Sequence, residues 1–162
     1  VCMMDEKKFA VLLTDSQEIK TVECDPQEEI FSLARGLIGC DWIELVEAES
    51  LGEKGCLLLI DEEGKLREGE LAINCVASDL YGSDRHGDPI IGNALVVHAS
   101  DENLALLTEK EARVLASELE QNRDQSVEKV ARAFGLSPLV RNDSELKDAA
   151  RQQPCRKNGI ER

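Results

Sequence analysis

The sequence predicts an α+β fold: a mostly antiparallel sheet packed by one helix, with a helical extension at the C-terminus. Three observations carry that reading. Up to His98, short segments alternate apolar and polar residues or run apolar between turn signals, as strands do. After Thr108 the apolar residues recur every three or four positions, which is the helical spacing. The charge changes at the same place. Residues 1–108 hold 23 Asp and Glu against 8 Lys and Arg, and residues 109–162 hold 10 against 11, within a net charge of −14. Strands, a helix, more strands and then helices is the α+β order. The expected divisions are an acidic α+β domain over 1–107, a helical extension over 108–152 and a flexible tail over 153–162.

Phe9 to Leu13 is an apolar run, Asp15-Ser16-Gln17 a turn cluster and Ile19 to Cys24 an alternating strand, together a hairpin. Asp25-Pro26-Gln27-Glu28 reads as a helix start, with Asp25 capping, Pro26 needing no N–H and Glu28 reaching back to the cap. In the resulting helix over 26–38, Ile30, Phe31, Ala34, Leu37 and Ile38 share one face, and Gly39 ends it. Trp42 to Glu47 is a strand. Gly55 to Ile60 is nearly unbroken in its apolar character, which suits a central strand. Asp61 to Lys65 closes it, with a positive φ expected at Gly64. Residues 71–81 hold a short helix, Tyr81 to Pro89 a loop, and Ile90 to His98 the last strong strand.

Thr108-Glu109-Lys110-Glu111 is a second capping box, opening a helix with Ala112, Leu115, Ala116 and Leu119 on one face. Asn122 to Gln125 interrupts it. Val127, Val130, Ala131 and Phe134 form another stripe, stopped by Gly135, and a weak helix over 144–150 precedes the tail. The two main later helices either cover the sheet or protrude from it as a hairpin.

Composition narrows the function. A field this negative repels free nucleic acid and anionic membranes and attracts basic protein surfaces. Aromatic residues are 3% of the chain, so the core is aliphatic and the stacking platforms of single-strand readers are missing. The six cysteines, at 2, 24, 40, 56, 75 and 155, include no closely spaced pair, and two His are too few to complete a zinc site. Cys24, Cys40, Cys56 and Cys75 border apolar runs and read as small hydrophobes. With no signal peptide and no apolar stretch near twenty residues, the thiols are expected to be reduced and the protein cytoplasmic, with Met4 its natural first residue. No cofactor, metal or membrane contact is expected.

Catalytic motifs are absent: there is no phosphate-binding Gly loop, nucleophile elbow or His-Glu-x-x-His pair. His98, at the end of a strand, reads as a solvent-facing or hydrogen-bonded imidazole. Carboxylates are so many that any catalytic pair among them is arbitrary, and no enzymatic activity is expected. Three places remain. The loop over 79–89 is the densest mixed-polarity segment and holds Tyr81, Arg85 and His86, which with Asn74 and Asn93 are candidate ligand-binding residues. Asn74 and Asn93 lie beside apolar runs, where an amide either bonds local backbone or recognises a polar ligand. Glu44, Glu47 and Glu49 are candidate interface residues: a solvated sheet face, or a row of carboxylates that imitates nucleic-acid phosphates toward a basic groove. The segment from Val130 to Arg141 has the outline of a helix-turn-helix, but Asn142-Asp143 cuts its second helix to about one turn and few bases accompany it.

Three segments carry a family resemblance: Leu59-Ile60-Asp61-Glu62-Glu63-Gly64-Lys65-Leu66, Ala72-Ile73-Asn74-Cys75-Val76-Ala77, and Asp88-Pro89-Ile90-Ile91-Gly92-Asn93-Ala94-Leu95-Val96-Val97. In order and spacing, residues 8–107 resemble the family known as domain of unknown function 3846. The resemblance implies the setting of a phage or mobile element and transfers no catalytic residue; the helices after 108 are expected to lie outside it. The expected function is that of a non-enzymatic accessory protein that binds and neutralises or modulates a host protein with a basic surface. The alternatives are a sponge for a small nucleotide-like signal and a scaffold component, with homo-oligomerisation open.

Overall fold

The computed structural model describes residues 7–67, 71–83, 88–100 and 103–134. Chain order is β1 (Lys8–Leu13), β2 (Ile19–Cys24), α1 (Ile30–Ile38), β3 (Ile43–Val46), α2 (Glu49–Gly52), β4 (Cys56–Asp61), α3 (Cys75–Tyr81), β5 (Ala94–Ser100), β6 (Asn103–Ala105), β7 (Leu107–Thr108), α4 (Glu109–Gln121) and α5 (Arg123–Ala133). The fold is α+β. Its sheet runs β2-β1-β5-β4-β3 with every pair antiparallel. β1 and β5 pair only from Val11–Val96 to Leu13–Ala94. Beyond that they part, and β6 and β7 fill the wedge, one against each strand.

Successive side chains of a strand point to opposite faces, and both faces of this sheet are covered. Ala10, Leu12, Leu57, Leu59 and Leu95 meet Ala34 and Ile38 of α1. Val11, Leu13, Leu58 and Val96 meet Leu51 of α2, Val76 of α3 and Ala112, Leu115 and Leu119 of α4. That two-sided burial is why β4 and the centre of β5 read as continuous apolar runs. α5 sits outside α3, with Val127 and Val130 against Ile73, Cys75 and Ile91. Of the two later helices, α4 therefore covers the sheet and α5 covers α3, and the packing continues across the change of charge and period at 107/108. Those changes describe the exposed surface and the local backbone, neither of which decides where an apolar stripe docks.

Three local expectations are corrected. α1 begins at Ile30 rather than at 26. Asp25 instead closes a turn, its carboxylate accepting the Gln27 N–H at 2.9 Å, while the Glu29 carboxylate accepts from Phe31 and Ser32 at 3.2 and 3.1 Å. Residues 25–29 are all exposed, so no apolar contact would reward a further helical turn there. Gly64 has no positive φ; a Cβ on it would stand 2.6 Å from the Ile91 carbonyl oxygen, so glycine is required for close approach. β5 begins at Ala94, not Ile90, because Ile91 bridges Ile73 instead of joining the sheet and Gly92, at φ 94, turns the chain. Gly39, at φ 85, does end α1 in the left-handed conformation, and Thr108 and Glu111 do form the capping box of α4. Gly135, the 144–150 helix, the tail and the second half of the helix-turn-helix outline lie outside the described residues.

Candidate functional site

Asn74 and Asn93 are brought into one polar clamp that ties three turns together. Asn74 is fully buried, and its amide donates 2.9 Å bonds to the carbonyls of Leu13 and Gly92. Its Oδ1 accepts the Ala77 N–H at 3.1 Å, which caps α3. Gln17, held at φ 71, donates to the Asp15 and Ile73 carbonyls and accepts from the Cys75 N–H. Asp15 takes the Ala72 N–H at 3.0 Å and gives its own N–H to Asn93 Oδ1 at 3.0 Å. Both amide protons of Asn74 and its carbonyl oxygen are engaged with backbone, so it presents nothing to a ligand. The clamp also supplies a physical reason for the Asn-centred segment. Segments 72–74 and 90–92 bond each other only through the Asn74 N–H to the Ile90 carbonyl and the Gly92 N–H to the Ala72 carbonyl. The side chains of Asp15, Gln17 and Asn74 take up the Ala72 N–H, the Ile73 and Gly92 carbonyls and the Cys75 N–H that this short bridge leaves over. Gln17 was not marked by the sequence, where it looks like any turn residue. Tyr81 packs half-buried against the α4-side core, and Arg85 and His86 lie outside the described residues.

The second place is the sheet edge formed by β3. Its pairing with β4 sets Glu44 opposite Ile60 and Leu45 opposite Leu59. Alternation turns Glu44 to the α4 side of the sheet and Leu45 to the α1 side. Glu44, Glu47 and Glu49 are all exposed, and among the described residues no cation pairs with any of them. Beside them stand Trp42, the one Trp of the chain, at 61% exposure and Leu45 at 46%. Glu47 and Glu49 also line a concavity of about 410 Å³ with Gly52, Gly55 and Ala99. The exposure of Trp42 and Leu45 escaped sequence reasoning, since an alternating strand gives no sign of how far α1 reaches along it.

A third grouping also escaped it. Cys56 and His98 are register partners on β4 and β5, and α4 brings Glu111 to the other side of the ring. His98 Nδ1 lies 3.1 Å from the Gly55 carbonyl and 3.9 Å from Cys56 Sγ, and Nε2 lies 3.1 Å from Glu111 Oε1. The ring thus pins α4 to the β4–β5 end of the sheet. Glu111 Oε1 also accepts the Thr108 N–H at 2.9 Å. That backbone bond lowers the carboxyl pKa against partial burial, with His98 adding to the effect. Burial pushes the Cys56 thiol up, and Glu111 pushes it further. The three residues share a cleft of about 320 Å³ with Leu107 and Val114, but a thiol held in its protonated form is a weak nucleophile. Among the described residues no three His, Cys, Asp or Glu side chains converge as metal ligands, and no helix is long and apolar enough to cross a membrane.

Compared with known proteins, the chain matches no curated protein and no solved structure. A family profile does match, over residues 7–120. The match contains the clamp, the β3 edge and nearly all of α4, so the family region extends beyond the 107 boundary expected from the sequence. With more than half of its length matched, the chain belongs to the family described as domain of unknown function DUF3846.

Proposed function

We propose that this chain is a non-enzymatic accessory protein of a phage or mobile element, one that binds and modulates a host protein with a basic surface through its β3 face. One observation carries the reading: Glu44, Glu47 and Glu49 are exposed without a cation partner among the described residues, next to exposed Trp42 and Leu45. Carboxylates left unpaired project their field into solvent and accelerate encounter with a basic surface. The neighbouring apolar side chains supply the short-range contact that slows dissociation. The nucleotide-sponge alternative draws less support, because the Asn74 amide is wholly engaged by Leu13, Gly92 and Ala77.

The test is association kinetics with a partner captured from host lysate, using wild type and the combined Glu44→Lys, Glu47→Lys, Glu49→Lys variant. The reversal should slow association far more than it speeds dissociation and should remove most of the salt dependence, since exposed charges are screened over about 8 Å at physiological ionic strength. Unchanged association at every salt concentration would refute the acidic-face reading.

A further inference from the structure

The open side of β3 suggests how the partner is held. Beyond β4, the Glu62 N–H donates to the Trp42 carbonyl at 3.0 Å, and on the other side of β4 the Ala99 N–H donates to the Gly55 carbonyl at 2.8 Å. In an antiparallel ladder, directly opposed residues alternate between bonded and non-bonded pairs. Both bonds give the same phase: Glu44 and Val46 bond to β4, and the N–H and C=O groups of Ile43 and Leu45 face away from the sheet. No strand among the described residues pairs with that side. Such an edge is a template for another extended segment, and natural edges of this kind are covered, bulged or protected by charge.

The surrounding side chains select the occupant. A second copy of β3 is disfavoured, because pairing two such strands sets Glu44 of one copy across from Glu44 of the other, with Glu47 and Glu49 of both copies just beyond the strand ends, and like charges across a strand pair destabilise it. A strand added beside β3 meets Leu45 on the α1 side and Glu44 on the α4 side. We infer that β3 accepts, by strand addition, an extended segment of a partner protein in which basic and apolar residues alternate. The cations lie beside Glu44 with Glu47 and Glu49 close by, the apolar residues lie beside Leu45, and the backbone bonds to Ile43 and Leu45. Main-chain bonds then provide affinity, and alternation provides selectivity. The inference rests on the acidic-face reading for the partner's charge, and on the ladder phase for the mode of binding.

The probe is an eight-residue peptide alternating Lys and Val, compared with one of the same composition in which four Lys precede four Val. Wild type should bind the alternating peptide about tenfold more tightly, and binding should slow hydrogen exchange of the Ile43 and Leu45 amides at least about tenfold, as new strand bonds do. Leu45→Pro removes one outward N–H without touching the β4 ladder, a position where an edge strand tolerates proline. It should keep the thermal transition and lose the preference for the alternating peptide. If Leu45→Pro does not fold, amide exchange in the wild type decides. Equal binding of the two peptides, unchanged exchange at Ile43 and Leu45, or protection of those amides already in the free protein would each overturn strand addition. The triple Lys reversal separates the two readings. Loss of peptide binding there with no exchange signature in the wild type leaves the acidic face and removes strand addition, whereas retained binding with the signature does the reverse.

Discussion

The clamp and the β3 edge are both polar, acidic in part and built on turns or strands, yet their polar groups have opposite destinations. In the clamp, Asp15, Gln17, Asn74 and Asn93 bond backbone from sequence positions tens of residues away, and none of that capacity reaches solvent at Asn74. The α4 side resembles the clamp: Glu109 pairs with Arg113, Glu118 with Lys54, and Glu111 with His98. At the β3 edge, Glu44, Glu47 and Glu49 have no such partner among the described residues, and a Trp and a Leu are exposed beside them. A polar group matched inside the chain contributes to the fold, while one left unmatched beside exposed apolar surface is available to another molecule. The contrast can be broken from either side.

The largest effect should come from ending the chain after Asn103. This removes Leu107, Ala112, Leu115 and Leu119 from the α4-side core, each large side chain contributing about 1.5–3 kcal/mol of burial. Domains are marginally stable, so the cooperative thermal transition should disappear. A surviving transition would mean that residues up to 103 fold on their own and that α4 belongs with the expendable surface.

Asn74→Ala comes next. It orphans the Leu13 and Gly92 carbonyls and the Ala77 N–H in a site without water access, at a cost of about 3 kcal/mol. Urea denaturation measures it, and a loss below about 1 kcal/mol would show that the clamp is not structural.

Acid should act on the α4 side with a smaller effect. Because the Glu111 pKa is lowered on folding, its carboxylate contributes stability above its ordinary range, and the contribution is lost as pH falls through the folded value. Glu111→Gln should flatten that part of the pH–stability curve, and an unchanged acid limb would remove the Thr108 N–H bond to Glu111 first, and the lesser His98 contribution with it, from the account.

Smallest of all should be the effect on stability of reversing Glu44, Glu47 and Glu49 to Lys. It should lie within about 0.5 kcal/mol, or favour the fold slightly by relieving repulsion in a chain of net charge −14. A large loss in denaturation would place these residues in the fold after all.

Much of the architecture was legible because it is local. The hairpin of β1 and β2, the αL glycine after α1, the apolar strand β4 and the capping box at Thr108 each depend on residues within a few positions of one another. The misreadings have one source. Asp25 and Glu29 both offer a carboxylate to nearby amides, and where the buried stripe begins at Ile30 decided between them. Gly64 looked like a turn residue because its real constraint, the Ile91 carbonyl, lies far along the chain. Asn74 and Asn93 could be singled out from their apolar surroundings, but whether their amides faced backbone or a ligand depended on Leu13, Asp15 and Gly92.

By itself the sequence determined the periods, the caps, the aliphatic core and the acidic surface, since each follows from side-chain chemistry and spacing along a short stretch of backbone. Only the tertiary structure decided that α4 closes the second face of the sheet, that Cys56, His98 and Glu111 meet, and that β3 ends the sheet with Trp42 and Leu45 uncovered. The physical reason is that burial and hydrogen-bond satisfaction are properties of what lies opposite a residue. Period and charge describe only the residue's own strand or helix.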